Sequence, residues 1–307
     1  MNNIVSKIKN LEIQTLENIR ASKAKNTIRA YKSDFNDFEK FCSELSLKSM
    51  PAEPRTVSLY LTHLSNNCKL STIKRRLASI KVFHNLKSKY IDLKHPLISE
   101  NLQSIKKIIG SFQKAKKPIN TNELKMIISS IDSEKKIRDK VRNKALLLTG
   151  FGGAFRRSEL VSILLEDLDF TDEGVKIFIK KSKTDQSGEG MIKALPYLSN
   201  VEFCPVLSLK KWIEYLENHE PNEKLLFNMS DKNVSLIIKK HISKIGLNKY
   251  NYSGHSLRSG FATSTAESGA EERDIMSITG HKSHQMVRRY IQQSNLFKNS
   301  ALKKLKI

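Results

Sequence analysis

Cysteine is scarce in this chain, and acidic residues are outnumbered. The three cysteines, Cys42, Cys68 and Cys204, are odd in number and widely spaced, and none falls in a CxxC pair. That excludes a disulfide framework and gives no thiolate zinc site, so the thiols read as reduced and mostly buried. No apolar run approaches the length of a bilayer span, and the opening stretch MNNIVSKIKNLEIQ lacks a signal-peptide core. The chain therefore reads as cytoplasmic, with no membrane partner. No fixed-period repeat is evident.

Familiar catalytic signatures are missing too. TGFGGAF is glycine-rich but lacks the GK[ST] of a P-loop, and it follows a helix where a dinucleotide fingerprint needs a strand. There is no HExxH. His281 and His284 stand three apart with no carboxylate to complete a metal cage, and no acidic cluster for two-metal chemistry is recognisable. Neither a metal nor another cofactor is expected.

What the chain has in excess is positive charge. Its 54 Lys and Arg against 31 Asp and Glu give a formal net charge of +23 over 307 residues. Such a surplus favours a polyanionic partner, because each neutralised phosphate releases condensed counterions. The length suits two domains, each with its own core.

The first hundred or so residues read as helical. In KNTIRAYKSDFNDFEKFCSEL the residues Ile28, Tyr31, Phe35, Phe38, Phe41, Cys42 and Leu45 recur three or four apart, one stripe of an amphipathic helix. PAEPRTVSLYLTHLS and LSTIKRRLASIKVFHNL predict two more, the latter with Lys74, Arg75, Arg76 and Lys81 among its apolar residues. That cationic face is either solvated surface or a reader of a DNA backbone. The basic stretch Lys114, Lys116 and Lys117 before Pro118 marks a linker, and Asn120 with Glu123 three residues on predicts a capped helix start. The expected organisation is a helical domain over 1–112, a linker over 113–119 and a second domain over 120–307.

In that second half IRDKVRNKALLLTGF reads as a buried helix, and RRSELVSILLEDLDF as another giving way to a turn. VKIFIKK alternates, with Val175, Ile177 and Ile179 on one side, and MIKALPYL is its antiparallel partner across KTDQSGEG. Helices then run to the end. Mainly α with a small antiparallel sheet is the expected class.

A scattered set of cations and one tyrosine remains: Arg156 in GAFRRSEL, Lys183 in the hairpin turn, His255 and Arg258 in GHSLRSG, His281 in TGHKS and Tyr290 in RRYIQ. Each has an ordinary structural reading. Tyr290 shares a helical stripe with Met286 and Val287, a carboxylate such as Glu159 or Asp167 could hold Arg258, and Lys180, Lys181 and Lys193 lie near Lys183. Taken together, RRSELVSILLEDLDF, HSLR and GHKSHQMVRRY resemble the boxes of the tyrosine recombinase family in order and spacing, including the nine-residue step from His281 to Tyr290. NTIRAYKSDFNDFEKFC and PAEPRTVSLYLTHL resemble that family's helical, SAM-like core-binding domain, so the likeness spans roughly residues 10 to 295.

The chemistry makes such a set coherent. Attack on a phosphodiester needs a nucleophile, a proton for the leaving oxygen and positive charge at the non-bridging oxygens. Arginine suits the last task because its fork is always charged and matches phosphate bidentately. The resemblance implies that Arg156 and Arg258 clamp the phosphate, His255 assists proton transfer, and His281 donates a hydrogen bond to it. It implies that Lys183 protonates the departing 5′ oxygen and that Tyr290 attacks to leave a 3′-phosphotyrosyl bond, without metal or ATP. Lys74, Arg75, Arg76, Lys81, Lys114, Lys116 and Lys117 are the expected DNA contacts.

The implied partner is double-stranded DNA with paired inverted sites, bound by a tetramer on two duplexes. The tail QQSNLFKNSALKKLKI either packs on its own domain or docks in trans on a neighbour. One departure stands out: the family often has leucine before the Gly-His pair, where this chain has Thr279. The other histidines read as structural or surface groups. A type IB topoisomerase and a catalytically silent DNA-binding protein on the same scaffold are the alternatives.

Overall fold

The computed structural model describes residues 7, 11, 14, 25–112, 115–180, 190–281 and 283–295. The chain divides into two compact units, residues 1–114 and 115–307.

Four helices of the first unit follow from their apolar stripes: α1 (Lys25–Glu44), α2 (Pro54–Ser65), α3 (Leu70–Leu86) and α4 (Pro96–Ile109). Pro54 and Pro96 open α2 and α4, where a missing N–H costs nothing. Phe35, Phe38 and Phe41 of α1 meet Tyr60 and Leu61 of α2, Ile73 and Ile80 of α3 and Ile98 of α4 in one core. Each such side chain contributes roughly 1.5–3 kcal/mol by leaving water. The α1 stripe is shorter than its pattern, for Ile28 and Leu45 at its ends are exposed.

His84 lies fully buried beneath this core. Its Nε2 accepts the Ala52 N–H at 2.9 Å while Nδ1 faces the Ile80 carbonyl at 2.8 Å. Burial pushes its pKa below the ordinary value, against the opposing Ile80 bond. The unfolded chain therefore takes up the proton first as pH falls. Stability from this group is complete above about pH 6.5 and is lost below it, by up to ~1.4 kcal/mol per pH unit until the folded pKa is reached. Hydrogen exchange of α3 amides should show protection falling between pH 7 and pH 5, and a His84→Gln variant should lack that component of the fall.

The second unit opens on residues 115–119, which belong to it structurally: the Lys117 N–H donates to the Asn251 carbonyl at 2.8 Å and the Ile119 N–H to the Ser256 carbonyl at 3.0 Å. At Gly260 a Cβ would sit 2.0 Å from the Ile119 carbonyl oxygen, so only glycine admits this crossing. Then comes α5 (Thr121–Ile131), whose first turn is closed by a capping box: Asn120 Oδ1 accepts the Glu123 N–H, and Glu123 Oε2 accepts the Asn120 N–H.

Helix α6 (Ile137–Gly152) is apolar nearly all round over Ala145–Leu148 because it is enclosed, packing on α8 (Pro205–His219) and α10 (His255–Glu267). RRSELVSILLEDLDF departs from its helical reading. Only Arg157–Leu160 is helical (α7), and a short 3-10 turn then leads into an unforeseen strand β1 (Leu168–Phe170). The Asp167 carboxylate accepts the Leu164 N–H at 2.9 Å, a local bond that competes with helix continuation.

The sheet is antiparallel in the order β1-β2-β3, with β2 spanning Gly174–Ile179 and β3 Met191–Pro196. Val175 pairs with Leu195, Ile177 with Lys193 and Ile179 with Met191. The apolar face of β2 therefore fixes which face of β3 turns inward, and Lys193 is on it. Helices α9 (Asp231–Lys244), α11 (Glu272–Thr279) and α12 (His284–Asn295) complete the unit. Its core surrounds Trp212, whose indole N–H donates to the Leu226 carbonyl at 2.6 Å. No described helix is long and apolar enough to cross a membrane.

Candidate active site

Four segments of the second unit bring their polar residues to one place. The first is the turn between α6 and α7. Arg156 precedes α7, and the buried Glu159 carboxylate accepts both its N–H, at 2.9 Å, and its guanidinium. Ala154 is held at φ +47°, a left-handed conformation that costs a non-glycine residue about 1–2 kcal/mol. That strained turn aims its carbonyl at Arg258, whose Nη1 donates to it at 2.8 Å.

Arg258 and His255 come from the first turns of α10. Arg258 is 1% exposed, and among the described residues its Nη2 has no hydrogen-bond partner. Its carboxylate partner in the structural reading is not found; Glu159 bonds to Arg156, and Asp167 pairs with Lys180 at 2.9 Å. Burial and the neighbouring Arg156 charge push the Arg258 pKa down to about 10, so it keeps its charge at neutral pH. His255, more exposed at the helix start, is held below its ordinary value by desolvation and by the fields of Arg258, Arg156 and Arg157.

The third segment is the end of α11. Gly280 adopts φ 64° and ψ 36°, and its N–H bonds to the Met276 carbonyl at 2.7 Å. This left-handed stop is why glycine precedes the histidine: it turns the chain so that His281 is buried in the cluster. His281 Nδ1 lies 2.8 Å from Thr279 Oγ1. Burial first, then the charges of Arg258 and Arg156, push its pKa down to about 4.

Tyr290 of α12 is the fourth. It is half-buried, packed in a small cluster with Ala262, Ile275 and Val287, and its ring centroid stands 6.0 Å from that of His281. Burial raises the phenol pKa, while Arg258 and Arg289 act in the opposite direction. Met286 is 49% exposed, so the buried stripe of α12 runs through Val287 and Tyr290 without it. Arg288 lies on the surface, 3.3 Å from Glu272, which also takes His284 at 2.8 Å.

One polar residue of the site escaped the sequence reading. Lys193 is 3% exposed; its Nζ donates to the Gly153 carbonyl at 2.5 Å and the Ile278 carbonyl at 2.7 Å, and stands 4.7 Å from the Phe155 ring centroid. It ties the strand to the turn before Arg156 and the helix before His281. Burial pushes its pKa down to about 7, with Glu159 opposing and the two arginines adding to the shift. Its signal was the strand register, which pairs it with the buried Ile177. Thr279, marked in the sequence as a departure from the family's leucine, is fully buried beside His281.

The remaining expected residues are placed unequally. Lys183 and Lys114 lie outside the described residues. On α3, Lys74 and Lys81 are exposed, whereas Arg75 pairs with Asp34 and Arg76 is drawn into Asp34, Asp37 and Tyr60. Lys116 donates to the Tyr250 carbonyl at 2.5 Å, and Lys117 pairs with Glu123 at 2.8 Å. Arg157 spans to Ser235 at 3.0 Å, its stem against Gly254. Among the described residues no group of three His, Cys, Asp or Glu could hold a metal ion.

The chain matches the Phage integrase family over residues 117–296 and the Phage integrase, N-terminal SAM-like domain, over 14–89. It is 38% identical to an integrase/recombinase xerD homolog of Selenomonas ruminantium, covering 96% of this chain and 89% of the relative. It is 25% identical to a tyrosine recombinase XerC of Staphylococcus aureus, covering 89% and 87%. In fold it is similar to the XerH site-specific recombinase bound to a palindromic difH substrate (TM-score 0.67, 18% identity, 90% of this chain and 78% of that one). It is also similar to the Tn1549 transposon integrase bound to transposon right end DNA (TM-score 0.64, 16% identity, 96% and 98%). Two matched domains in the expected order and a cationic cluster around one tyrosine agree: this chain is a tyrosine recombinase and belongs to the phage integrase family.

Proposed function

We propose that this recombinase cuts and rejoins DNA at a specific site through a 3′-phosphotyrosyl bond on Tyr290. The observation that carries this reading is the buried Arg258 guanidinium, with one Nη2 unpartnered among the described residues and its positive field reaching the Tyr290 phenol. A phosphodiester oxygen satisfies that donor and places phosphorus near the nucleophile. Arg156, fixed by Glu159, supplies the second guanidinium. His255 at the start of α10 assists proton transfer, helped by a helix N-terminus that favours an anion. Lys183 protonates the departing 5′ oxygen, as the family resemblance implies. The side chains provide the charge that a metal supplies elsewhere, and the phosphotyrosyl bond conserves the energy of the broken linkage.

In the first unit, Lys74 and Lys81 contact the DNA backbone, while Arg75 and Arg76, paired with carboxylates, chiefly shape that face. Four protomers act on two duplexes with paired inverted sites. Their tails, with Leu296 and Phe297, dock in trans; these residues lie outside the described ones. An apolar cavity of about 360 Å³ lined by Leu124, Leu148, Phe151, Leu195, Phe203 and Phe261 has the character to receive them. The XerH and Tn1549 relatives are described in complex with their DNA, which supports a DNA substrate here.

The test uses nicked duplexes from the DNA flanking the protein's own gene, with SDS-resistant adducts isolated and the linked peptide and DNA sequenced. An adduct on Tyr290, and strand exchange only when two copies of that DNA are present, is the expected result. Relaxation of a supercoiled single-site plasmid without exchange would instead indicate a topoisomerase. An adduct on another residue would overturn the assignment.

A further inference from the structure

The hydroxyl of Thr279 stands between two groups that fix its single proton. Thr279 Oγ1 lies 2.6 Å from the Ile275 carbonyl oxygen, one helical turn back, and 2.8 Å from His281 Nδ1. A carbonyl can only accept, so the hydroxyl proton goes to Ile275 and Oγ1 is left to accept from the imidazole. Nδ1 must then carry the proton. Thr279 is 0% exposed, so no solvent competes for either bond.

We infer that Thr279 is a positioning residue that locks His281 as the Nδ1–H tautomer, leaving Nε2 a lone pair that accepts the Tyr290 proton. This rests on the nucleophilic role of Tyr290 proposed above. In the step, the Tyr290 O–H bond breaks and its proton passes to His281 Nε2. The Tyr290 oxygen forms its bond to phosphorus, and the P–O5′ bond breaks with its electron pair on the 5′ oxygen, protonated by Lys183. The imidazolium so formed carries an Nε2–H, and only then does His281 donate a hydrogen bond to the phosphate. One residue therefore serves as acceptor first and donor second. The depressed His281 pKa keeps the ring neutral in the DNA-free protein, and a phosphate anion seated on Arg258 and Arg156 offsets the charges that depress it, so the ring gains basicity when DNA is bound. At the position where related enzymes often carry leucine, no side-chain group could hold that tautomer.

The experiment compares Thr279→Val, which keeps the shape and removes the hydroxyl, with Thr279→Ser, which keeps the hydroxyl. The ¹⁵N shifts of the His281 ring nitrogens report the tautomer in the DNA-free protein. Single-turnover cleavage is measured at saturating concentration of the nicked duplex on which the wild-type protein forms its adduct. The valine variant should show a mixed or Nε2–H tautomer, cleave about 10- to 100-fold more slowly with unchanged DNA affinity, and shift its pH–rate profile. The serine variant should restore both tautomer and rate to within about threefold. A valine variant that keeps the Nδ1–H tautomer, or that loses it and still cleaves at the wild-type rate, overturns the inference. If the wild-type protein forms no adduct on Tyr290, the recombinase mechanism fails instead, and the ring-nitrogen shifts still decide whether Thr279 holds the tautomer.

Discussion

Tyr290→Phe is expected to bind DNA as tightly as the wild-type protein, with the same salt dependence, and to form no covalent adduct. The phenol oxygen is the only heavy atom removed. The ring's packing against Ala262, Ile275 and Val287 is retained, so the fold of α12 against α10 and α11 should survive. In the proposed mechanism the hydroxyl supplies the attacking oxygen, and nothing at phenylalanine replaces it. Salt-sensitive binding comes from lysines and arginines that the change does not touch. Gel shifts at several salt concentrations together with SDS-resistant adduct yields would check both halves. Adduct formation by the phenylalanine variant at a rate within tenfold of wild type would remove Tyr290 from the mechanism.

Arg258→Lys is expected to lower the cleavage rate by about 10²–10³, roughly 3–4 kcal/mol, with a much smaller loss of DNA affinity. In the proposed mechanism the guanidinium serves two contacts at once: Nη1 holds the Ala154 carbonyl, and Nη2, unpartnered among the described residues, takes the phosphate. A lysine can keep the first or the second but lacks the planar fork to do both. Its charge is also less secure. Lys193, in the same cluster, is pushed down to about 7 by burial, whereas Arg258 at about 10 stays charged. Burial beside Arg156 should push the pKa of a lysine at position 258 down, as it does for Lys193, so the variant's activity should partly recover as pH falls. A pH–rate profile of the variant, taken beside that of the wild type, tests this. A flat ratio across pH 6 to 8 would show that the lost fork geometry acts alone.

Much of this architecture was legible in the amino-acid order. The apolar stripes of α1 to α4, the capped start of α5 at Asn120 and the alternation of β2 are local patterns, and local physics reads them directly. Where the local reading failed, a short-range bond competed: the Asp167 carboxylate captured the Leu164 N–H, and the helix expected to give way to a turn became a single helical turn, a 3-10 turn and a strand. The basic face of α3 left the partner of each charge open in the sequence. Its arginines and lysines look alike in sequence, but Asp34 and Asp37, a helix away, claim Arg75 and Arg76 and leave Lys74 and Lys81 exposed.

By itself the sequence pointed to a polyanionic partner, through its charge, and to the tyrosine recombinase family, through residue types whose order and spacing match that family. Those features survive in one dimension because identity and spacing along the chain are what they consist of. Only the tertiary structure decided the partners of each charge. It brought Lys193 under the arginines through strand register, assigned Glu159 to Arg156 instead of Arg258, and set the Thr279 hydroxyl between Ile275 and His281. The Lys193 bonds join segments 40 and 85 residues apart, and even the pairs only two to four residues apart depend on burial and hydrogen-bond direction, which spacing along a sequence does not encode.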